Sequence, residues 1–398
     1  MDHAIQLSWR QIPRSVVALG FVSLFMDISS ELIHGLLPLF LVGTLGASAV
    51  TLGMIEGIAE ATAAFGKLFS GVASDWVGKR KLLVVIGYSL SAATKLVFPL
   101  AGSVAAVLAA RVLDRVGKGV RDAPRDALIA DLTPPRIQGA SYGVRQSLDT
   151  IGAIGGPILA IVLMERYSND FHAVFWWAVL PAAISVAVLV YGVQEPTIAK
   201  SQERSGRPIR LGDLARLGGA YWRAVAIGVV FTLARFSEAF LLLKGQQSGL
   251  PLALAPSVMI VMSFVYAALS APAGALADQI GSRSILVVGL SCLVAADLAL
   301  ALAPGLTGLF AGVALWGAFM GLSQGLLPKL VADAAPVTLR GTAFGFFNLV
   351  TGIALLAAST LAGLLWERFG SSTTFLVGAA FAGVAACAFL VGGNRKDA

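Results

Sequence analysis

The chain has 398 residues, of which 57% are hydrophobic and 13% are charged, and its formal net charge is +7. Soluble domains carry about 25% charged residues, so a chain this apolar is not expected to fold as an ordinary soluble protein. The composition predicts a protein that crosses a membrane many times. The positive charge does not indicate a nucleic-acid partner, because no basic cluster stands apart from the apolar segments.

Twelve apolar segments are each long enough to cross a bilayer, which takes about 20 residues of helix. We therefore predict an all-α membrane protein with 12 transmembrane helices in two pseudo-symmetric six-helix bundles. The predicted helices span residues 15–43, 48–73, 82–102, 104–128, 139–164, 172–193, 222–244, 253–277, 283–303, 307–331, 341–365 and 372–392.

A polar stretch with several basic residues divides the two sets of helices. It predicts an N-terminal bundle over 1–193, a linker over 194–221 and a C-terminal bundle over 222–398. Lys and Arg accumulate in the cytoplasmic loops of membrane proteins, and here they accumulate in the linker and in the loops on the same side. We expect both termini to be cytoplasmic and the protein to lie in the cytoplasmic (inner) membrane.

A short charged hairpin occurs once in each half of the chain. Its two copies are Gly71, Asp75, Gly78 and Arg80, and then Gly274, Asp278, Gly281 and Arg283. An Asp at a helix end can accept hydrogen bonds from the positive N-terminus of another helix, so these eight residues are candidates for a conformational latch. A plain charged turn is the alternative. Other residues recur at an offset of 202, such as Asp131 and Asp333, which is typical of a transporter built from parallel repeats.

In these features the chain resembles the major facilitator superfamily over essentially its whole length. The first hairpin is similar to the loop 2–3 signature of that family, with Trp76 in place of the usual Arg. Arg111 lies where the fourth-helix signature has its Arg, although Asp114 and Arg115 replace the usual Gln-Gly. The resemblance implies alternating access between two halves, a central cavity lined by helices 1, 4, 7 and 10, and a latch through Asp75 that locks the outward-open state.

The fifth predicted helix carries a second signature of the same family. Gly143, Gly152, Gly156 and Pro157 match the spacing of its antiporter motif, and this resemblance implies an exporter similar to bacterial drug/proton antiporters. We expect these residues to thin and bend the helix against its symmetry partner. Ordinary packing of a Gly-rich helix is the alternative.

Ionisable side chains are costly inside a bilayer and normally face a cavity or a partner. Those on predicted helices 1, 4, 5 and 7 form the candidate substrate and proton pathway. They are Asp27, Glu31, His34, Arg111, Asp114, Arg115, Lys118, Arg145, Asp149, Arg235 and Glu238. The functional interpretation gives the proton to Asp27, Glu31 or Glu238. The alternative is that these charges only pair with one another and hold helices together.

Three further groups of charges are left open. Glu56 and Glu60, with Lys67 seven residues after Glu60, form either a second proton path or a pair with Lys95. The charges around Pro124, which is expected to end the fourth helix, form either an inner gate or a solvated loop. Asp297 has no predicted partner.

The function that these features predict is proton-coupled export of a small organic solute, anionic or amphiphilic, because Arg and Lys are in surplus in predicted helices 4, 5 and 7. An importer or uniporter of an organic anion or a metal chelate is the alternative. No enzymatic constellation is present, and Cys292, Cys387 and three His residues lack metal-ligand spacing. We therefore expect no cofactor and no metal. The expected partners are the solute, protons and the lipid bilayer, with the protein as a monomer.

Overall fold

The computed structural model of the protein describes residues 12–77, 79–194, 214, 216–336 and 339–391. This described part is helical and contains no β-strand. We label its eleven longest helices α1 Arg14–His34, α2 Ala49–Val77, α3 Arg80–Thr94, α4 Val104–Leu132, α5 Gln138–Arg166, α6 Val179–Gly192, α7 Gly219–Ala234, α8 Ser257–Ile280, α9 Ser282–Leu302, α10 Gly305–Ser323 and α11 Arg340–Val391. Shorter helices prolong or precede four of these at Leu37–Leu39, Phe171–Trp176, Ala239–Gln247 and Leu326–Ala334.

The architecture is that of a multi-pass membrane protein. Within the described part, nine helical segments are long and apolar enough to cross a membrane. α2 and α4, with 29 residues each, pack against these segments. α11 contains 52 residues and is interrupted at Gly370, whose φ of 86° lies in a region that favours glycine. The all-α membrane prediction is therefore confirmed.

The helix contacts repeat between the first and second halves of the chain. In the first half α1 packs on α5, and α4 packs on α2 and α3. In the second half α7 packs on α11, and α10 packs on α8 and α9. The register repeats as well: a Cβ on Gly87 would meet the carbonyl of Gly117, and a Cβ on Gly289 would meet the carbonyl of Phe319, each 202 residues later.

The two halves meet along α2 and α11. We call the end of the bundle where α6 stops before the linker the linker end, and the opposite end the far end. A Cβ at Gly53 would overlap the Ser359 carbonyl oxygen, and one at Gly363 would lie 2.5 Å from that of Ala49. Small residues allow helices to approach this closely in a membrane. The halves are thus tightly closed on the far-end side.

Several predicted helices differ in continuity from what the sequence suggested. The sixth is interrupted after Trp176, the tenth is interrupted after Ser323, and the third ends at Thr94 and not at 102. The first is broken after His34 and the seventh between Ala234 and Ala239, where Arg235 has an extended backbone. By contrast, α4 continues through Pro124 to Leu132, so the prediction that this proline ends the helix was wrong. Extensive packing on α2 and α3 supports the helix on both sides of the proline.

Candidate functional site

A layer of buried charge links α1, α2 and α4. Arg111 donates a hydrogen bond of 2.8 Å to Glu56, and Arg115 lies 3.2 Å from Glu60. The two arginines lie four residues apart on α4, and the two glutamates lie four residues apart on α2. The two ion pairs therefore lie one helical turn apart between α2 and α4. Arg111 and Glu56 are almost fully buried. The suggestion that Glu56 or Glu60 pairs with Lys95 was therefore wrong.

His34 connects this layer to α1. Its Nε2 atom lies 3.5 Å from the Glu56 carboxylate, and its Nδ1 atom lies 3.5 Å from Glu31. A histidine between two carboxylates has the chemistry to accept a proton and pass it on. The structure thus joins Glu31 and His34 of the predicted pathway to Glu56, whose role the sequence left open.

Asp114 faces away from this layer. It accepts a hydrogen bond of 3.0 Å from Lys95 of α3, and both side chains are almost fully buried. This geometry assigns Asp114 to the packing of α3 on α4.

Asp27 and Lys118 differ from their neighbours because each lacks a direct partner in the described residues. Neither side chain makes an ion pair within 4 Å or a hydrogen bond there, and both are half-buried. The charged groups that act on Asp27 include Asp149 and Lys118. Lys118 in turn interacts at longer range with Glu60 and Asp122. A carboxylate and an ammonium group thus remain available at the centre of the first half.

The glycines of α5 hold the acidic face of α1 in place. A Cβ at Gly152 would lie 2.9 Å from Cβ of Asp27, and one at Gly156 would lie 2.8 Å from Cβ of Glu31. Both positions also touch the α1 backbone, and Pro157 follows within the same helix. These glycines therefore pack on α1, not on a symmetry partner. Gly143 meets nothing within 4 Å.

Charges near the linker end form a second network. Arg145 lies 3.1 Å from Asp149 and 3.8 Å from Asp126, while Lys67 lies 3.0 Å from Asp122. Arg125 contacts both Asp122 and Asp126. The network joins α2, α4 and α5, so these charges are not a solvated loop.

A cavity lies between the two halves, on the linker-end side of the α2–α11 contact. Its volume is ≈ 180 Å³. α2, α7 and α11 provide its polar lining, which consists of Glu60, Lys67, Thr232, Arg235, Asn348 and Thr351. The cavity was predicted on helices 1, 4, 7 and 10, and of these only the seventh contributes. Charges of α4 reach it indirectly, since Arg115 pairs with Glu60 and Asp122 pairs with Lys67.

Arg235 and Glu238 occupy the break that follows α7. Their charged groups lie 3.6 Å apart, and Arg235 Nη1 has no hydrogen-bond partner among the described residues. The Ser237 amide donates to Ser359 of α11. A broken membrane helix with polar groups beside a cavity is typical of transporter binding sites.

The two hairpins form contacts within their own halves. Arg80 lies 3.0 Å from Asp131, and Asp278 accepts a hydrogen bond from Lys329. Gly281 has a φ of 87° and makes the turn into α9, where Arg283 follows. Gly71 and Gly274 lie within α2 and α8. Gly78 and the side chain of Asp75 lie outside the described residues, so the latch through Asp75 stays a prediction.

Comparisons with known proteins identify the family. The family model described as Major Facilitator Superfamily matches residues 19–354 and 241–397. The chain belongs to the major facilitator superfamily. An uncharacterized MFS-type transporter of Methanocaldococcus jannaschii is 30% identical over 379 residues, which cover 94% of this chain and 93% of that protein. Membership confirms the predicted resemblance and places this MFS protein among transporters of small molecules and not among enzymes.

Two further proteins show how widely the similarity extends. A multidrug resistance protein of Yersinia enterocolitica is 29% identical over 161 residues, 40% of this chain and 37% of that one. The crystal structure of a nucleoside transporter, in a mutant form, superimposes with a TM-score of 0.78 at 14% identity, covering 94% of this MFS chain and 99% of that chain. At 14% identity, the similarity to the nucleoside transporter concerns the fold alone.

Three cavity residues were missed from the sequence, namely Thr232, Asn348 and Thr351. A usable signal existed for α11. Asn348, Thr351 and Gly352 lie three and four apart, which puts a polar stripe on one helix face. The stripe was overlooked because its side chains are uncharged.

Proposed function

We propose that this protein is a secondary active transporter of the cytoplasmic membrane that exports a small organic anion or zwitterion in exchange for protons. In this proposal twelve helices form two bundles, 1–193 and 222–398, joined by a cytoplasmic linker over 194–221. The observation that carries the proposal is the cavity between the halves, which adjoins a buried layer of ionisable groups.

The chemistry of the cavity favours a solute with a carboxylate or another anionic group. Lys67 of α2 and Arg235 of the α7 break supply positive charge from the two halves. Arg235 lines the cavity, its ion pair with Glu238 is loose at 3.6 Å, and a guanidinium group matches the geometry of a carboxylate. Glu60 on the same wall suits an additional amino group. The solute thus bridges the two halves.

The structure represents the state that faces the linker end. The halves are in backbone contact on the far-end side, whereas Glu60 and Lys67 keep 39% and 40% of their side chains exposed. With a cytoplasmic linker this state is inward-facing, so it loads an exported solute. A latch through Asp75 and Asp278 belongs to the opposite state.

Asp27 is the best candidate for the exchanged proton. It lacks a direct cationic partner in the described residues, and Lys118 on the facing helix is equally unpaired. We propose that Lys118 approaches Asp27 in one state, which releases the proton, and withdraws in the other, which lets Asp27 bind one. The Glu31–His34–Glu56 chain connects this group to the buried ion pairs.

Binding is tested first. The purified protein is screened for thermal stabilisation by mono- and dicarboxylates, amino acids and organic cations, at mildly acidic and mildly alkaline pH. A ligand stabilises the state that it binds. We expect hits among the anions and zwitterions, lost in Arg235→Gln and kept in the control Lys329→Gln, whose residue lies outside the cavity. Stabilisation by cations alone would contradict the substrate class.

Direction and coupling are tested in inverted membrane vesicles with an acidic lumen and a pH-sensitive dye. Addition of a solute identified in the screen is expected to dissipate the pH gradient, and Asp27→Asn to abolish this response. The antiporter signature and the similarity to a multidrug resistance protein support export. Solute counterflow that ignores the gradient and survives Asp27→Asn would instead establish the importer or uniporter alternative.

A further inference from the structure

A single acidic side chain lies deep in the second half of the protein. Asp297 of α9 is completely buried, and neither of its carboxyl oxygens has a hydrogen-bond partner in the part of the chain that the structure describes. An ionised carboxylate without a partner is very costly in an apolar interior, whereas a neutral acid costs far less.

The described surroundings of Asp297 contain no compensating charge. A Cβ at Gly378 of α11 would lie 2.7 Å from one Asp297 oxygen and 3.3 Å from the ring of Phe236. Phe236 in turn packs on Trp316 of α10, with ring centroids 5.3 Å apart. Across the described residues of these packed elements, no charged group acts on Asp297. Arg235 and Glu238, which flank Phe236 in the chain, pair with each other.

The internal repeat shows how the first half deals with the same position. Asp297 lies 202 residues after Lys95, and Trp316 lies 202 residues after Asp114. Lys95 and Asp114 form a buried ion pair between α3 and α4. In the second half Asp297 faces no cation, and the indole Nε1 of Trp316 also lacks a partner in the described part. A proton must therefore neutralise Asp297 in place of a counter-ion.

We propose that Asp297 is a second proton-binding site, which holds a neutral carboxylic acid in the inward-facing state. Phe236, which lies beside Gly378 together with Asp297, directly follows Arg235 of the cavity wall. Because Phe236 belongs to the α7 break, a movement of this break opens Asp297 to water and lets the proton leave. Only this transport role rests on the proposed function; the protonation itself does not.

Infrared difference spectroscopy tests the protonation without any transport. The spectrum of Asp297→Asn is subtracted from that of the wild-type protein in detergent at mildly alkaline pH. We expect the carbonyl stretch of a protonated carboxyl group, shifted to lower frequency in D₂O. The exposed control Asp278→Asn should show only carboxylate bands. Carboxylate bands for Asp297 as well would overturn the proposal.

Asp297→Glu provides a second readout in case the Asn variant does not fold. A glutamic acid at this position should keep a carbonyl band but shift its frequency. An unmoved band would overturn the assignment. For the transport role, proteoliposomes containing Asp297→Asn should carry fewer protons per solute than the wild type, and an unchanged ratio would overturn that role. Absence of any solute-driven proton flux in the wild type would instead reject the proposed function, while the infrared band still decides the state of Asp297.

Discussion

The two halves of the protein have the same helix packing but different buried side chains. In the first half α4 presents Arg111 and Asp114, which form buried ion pairs with α2 and α3. At the equivalent positions, 202 residues later, α10 presents Val313 and Trp316. Both versions support the same helix contacts. The difference teaches that the fold itself does not require the buried charge, since apolar side chains make the same packing in the second half.

The second half replaces ion pairs by contacts between aromatic rings. Phe236, Phe240, Trp316, Trp366 and Phe375 form a connected cluster with ring centroids between 5.3 and 6.0 Å apart. Such rings bury large apolar areas and pack in defined geometries. Buried ion pairs can often be exchanged for apolar residues without loss of stability. We infer that the layer of Glu31, His34, Glu56 and Arg111 serves the proposed transport, whereas the Lys95–Asp114 pair holds α3 on α4.

The largest effect is expected from breaking the Lys95–Asp114 pair. Asp114→Ala leaves the Lys95 ammonium group buried without a partner, which should cost about 3–5 kcal/mol of unfolding free energy. Trp316→Phe at the equivalent position should cost less, because the indole N–H that it removes makes no hydrogen bond in the described part. Thermal unfolding in detergent measures both. The double variant Lys95→Met/Asp114→Leu should recover most of the loss. A cost for Asp114→Ala no greater than that for Trp316→Phe would refute the distinction between the halves.

The next effect concerns the contact between α5 and α1. Gly156→Ala places a methyl group 2.8 Å from the Ile28 carbonyl oxygen and from Glu31 Cβ, and overpacking of this kind should cost about 1–3 kcal/mol. Gly155→Ala is the matched control, since its methyl group would meet only the Ile28 side chain, at 3.5 Å. Unfolding midpoints in detergent separate the two. Equal unfolding midpoints would show that α1 shifts to accommodate the added methyl group without loss of stability.

A smaller stability effect is expected at the cavity wall. Glu60 is 39% exposed beside Arg115, so Glu60→Gln should change the unfolding free energy by at most about 1 kcal/mol. It removes negative charge from the cavity, so an organic anion should bind several-fold more tightly, whereas Lys67→Gln should weaken binding. Calorimetric titration with the anion found in the screen measures both variants. Changes of the same sign in both would contradict an electrostatic role.

The smallest effect is expected at the linker end of the second half. Asp278 and Lys329 pair on the surface, and exposed pairs contribute little because solvent screens them. Lys329→Gln should unfold at the wild-type midpoint. A clear loss of stability would show that the second half also depends on charge.

Much of the fold was readable from the sequence, but the pairing of the charges was not. Apolar runs placed most of the helices to within a few residues, although the third ends at Thr94 and not at 102, and residues repeated at an offset of 202 related the halves. Whether Lys95 meets Glu56 or Asp114 depends on helix rotation, which a single sequence does not specify. The break at Arg235 was missed because no proline marks it. The break after His34 had a signal that was overlooked, since Pro38 has no N–H to donate to the His34 carbonyl.

The seam between α2 and α11 has a kinetic consequence. At Gly53 and Gly363 the helices touch backbone to backbone, without interlocked side chains. Interdigitated side chains must change rotamer before two helices can slide past each other, whereas backbones in direct contact need no rotamer change. We therefore expect a pivot of one half on the other to require few rotamer changes at these two glycines.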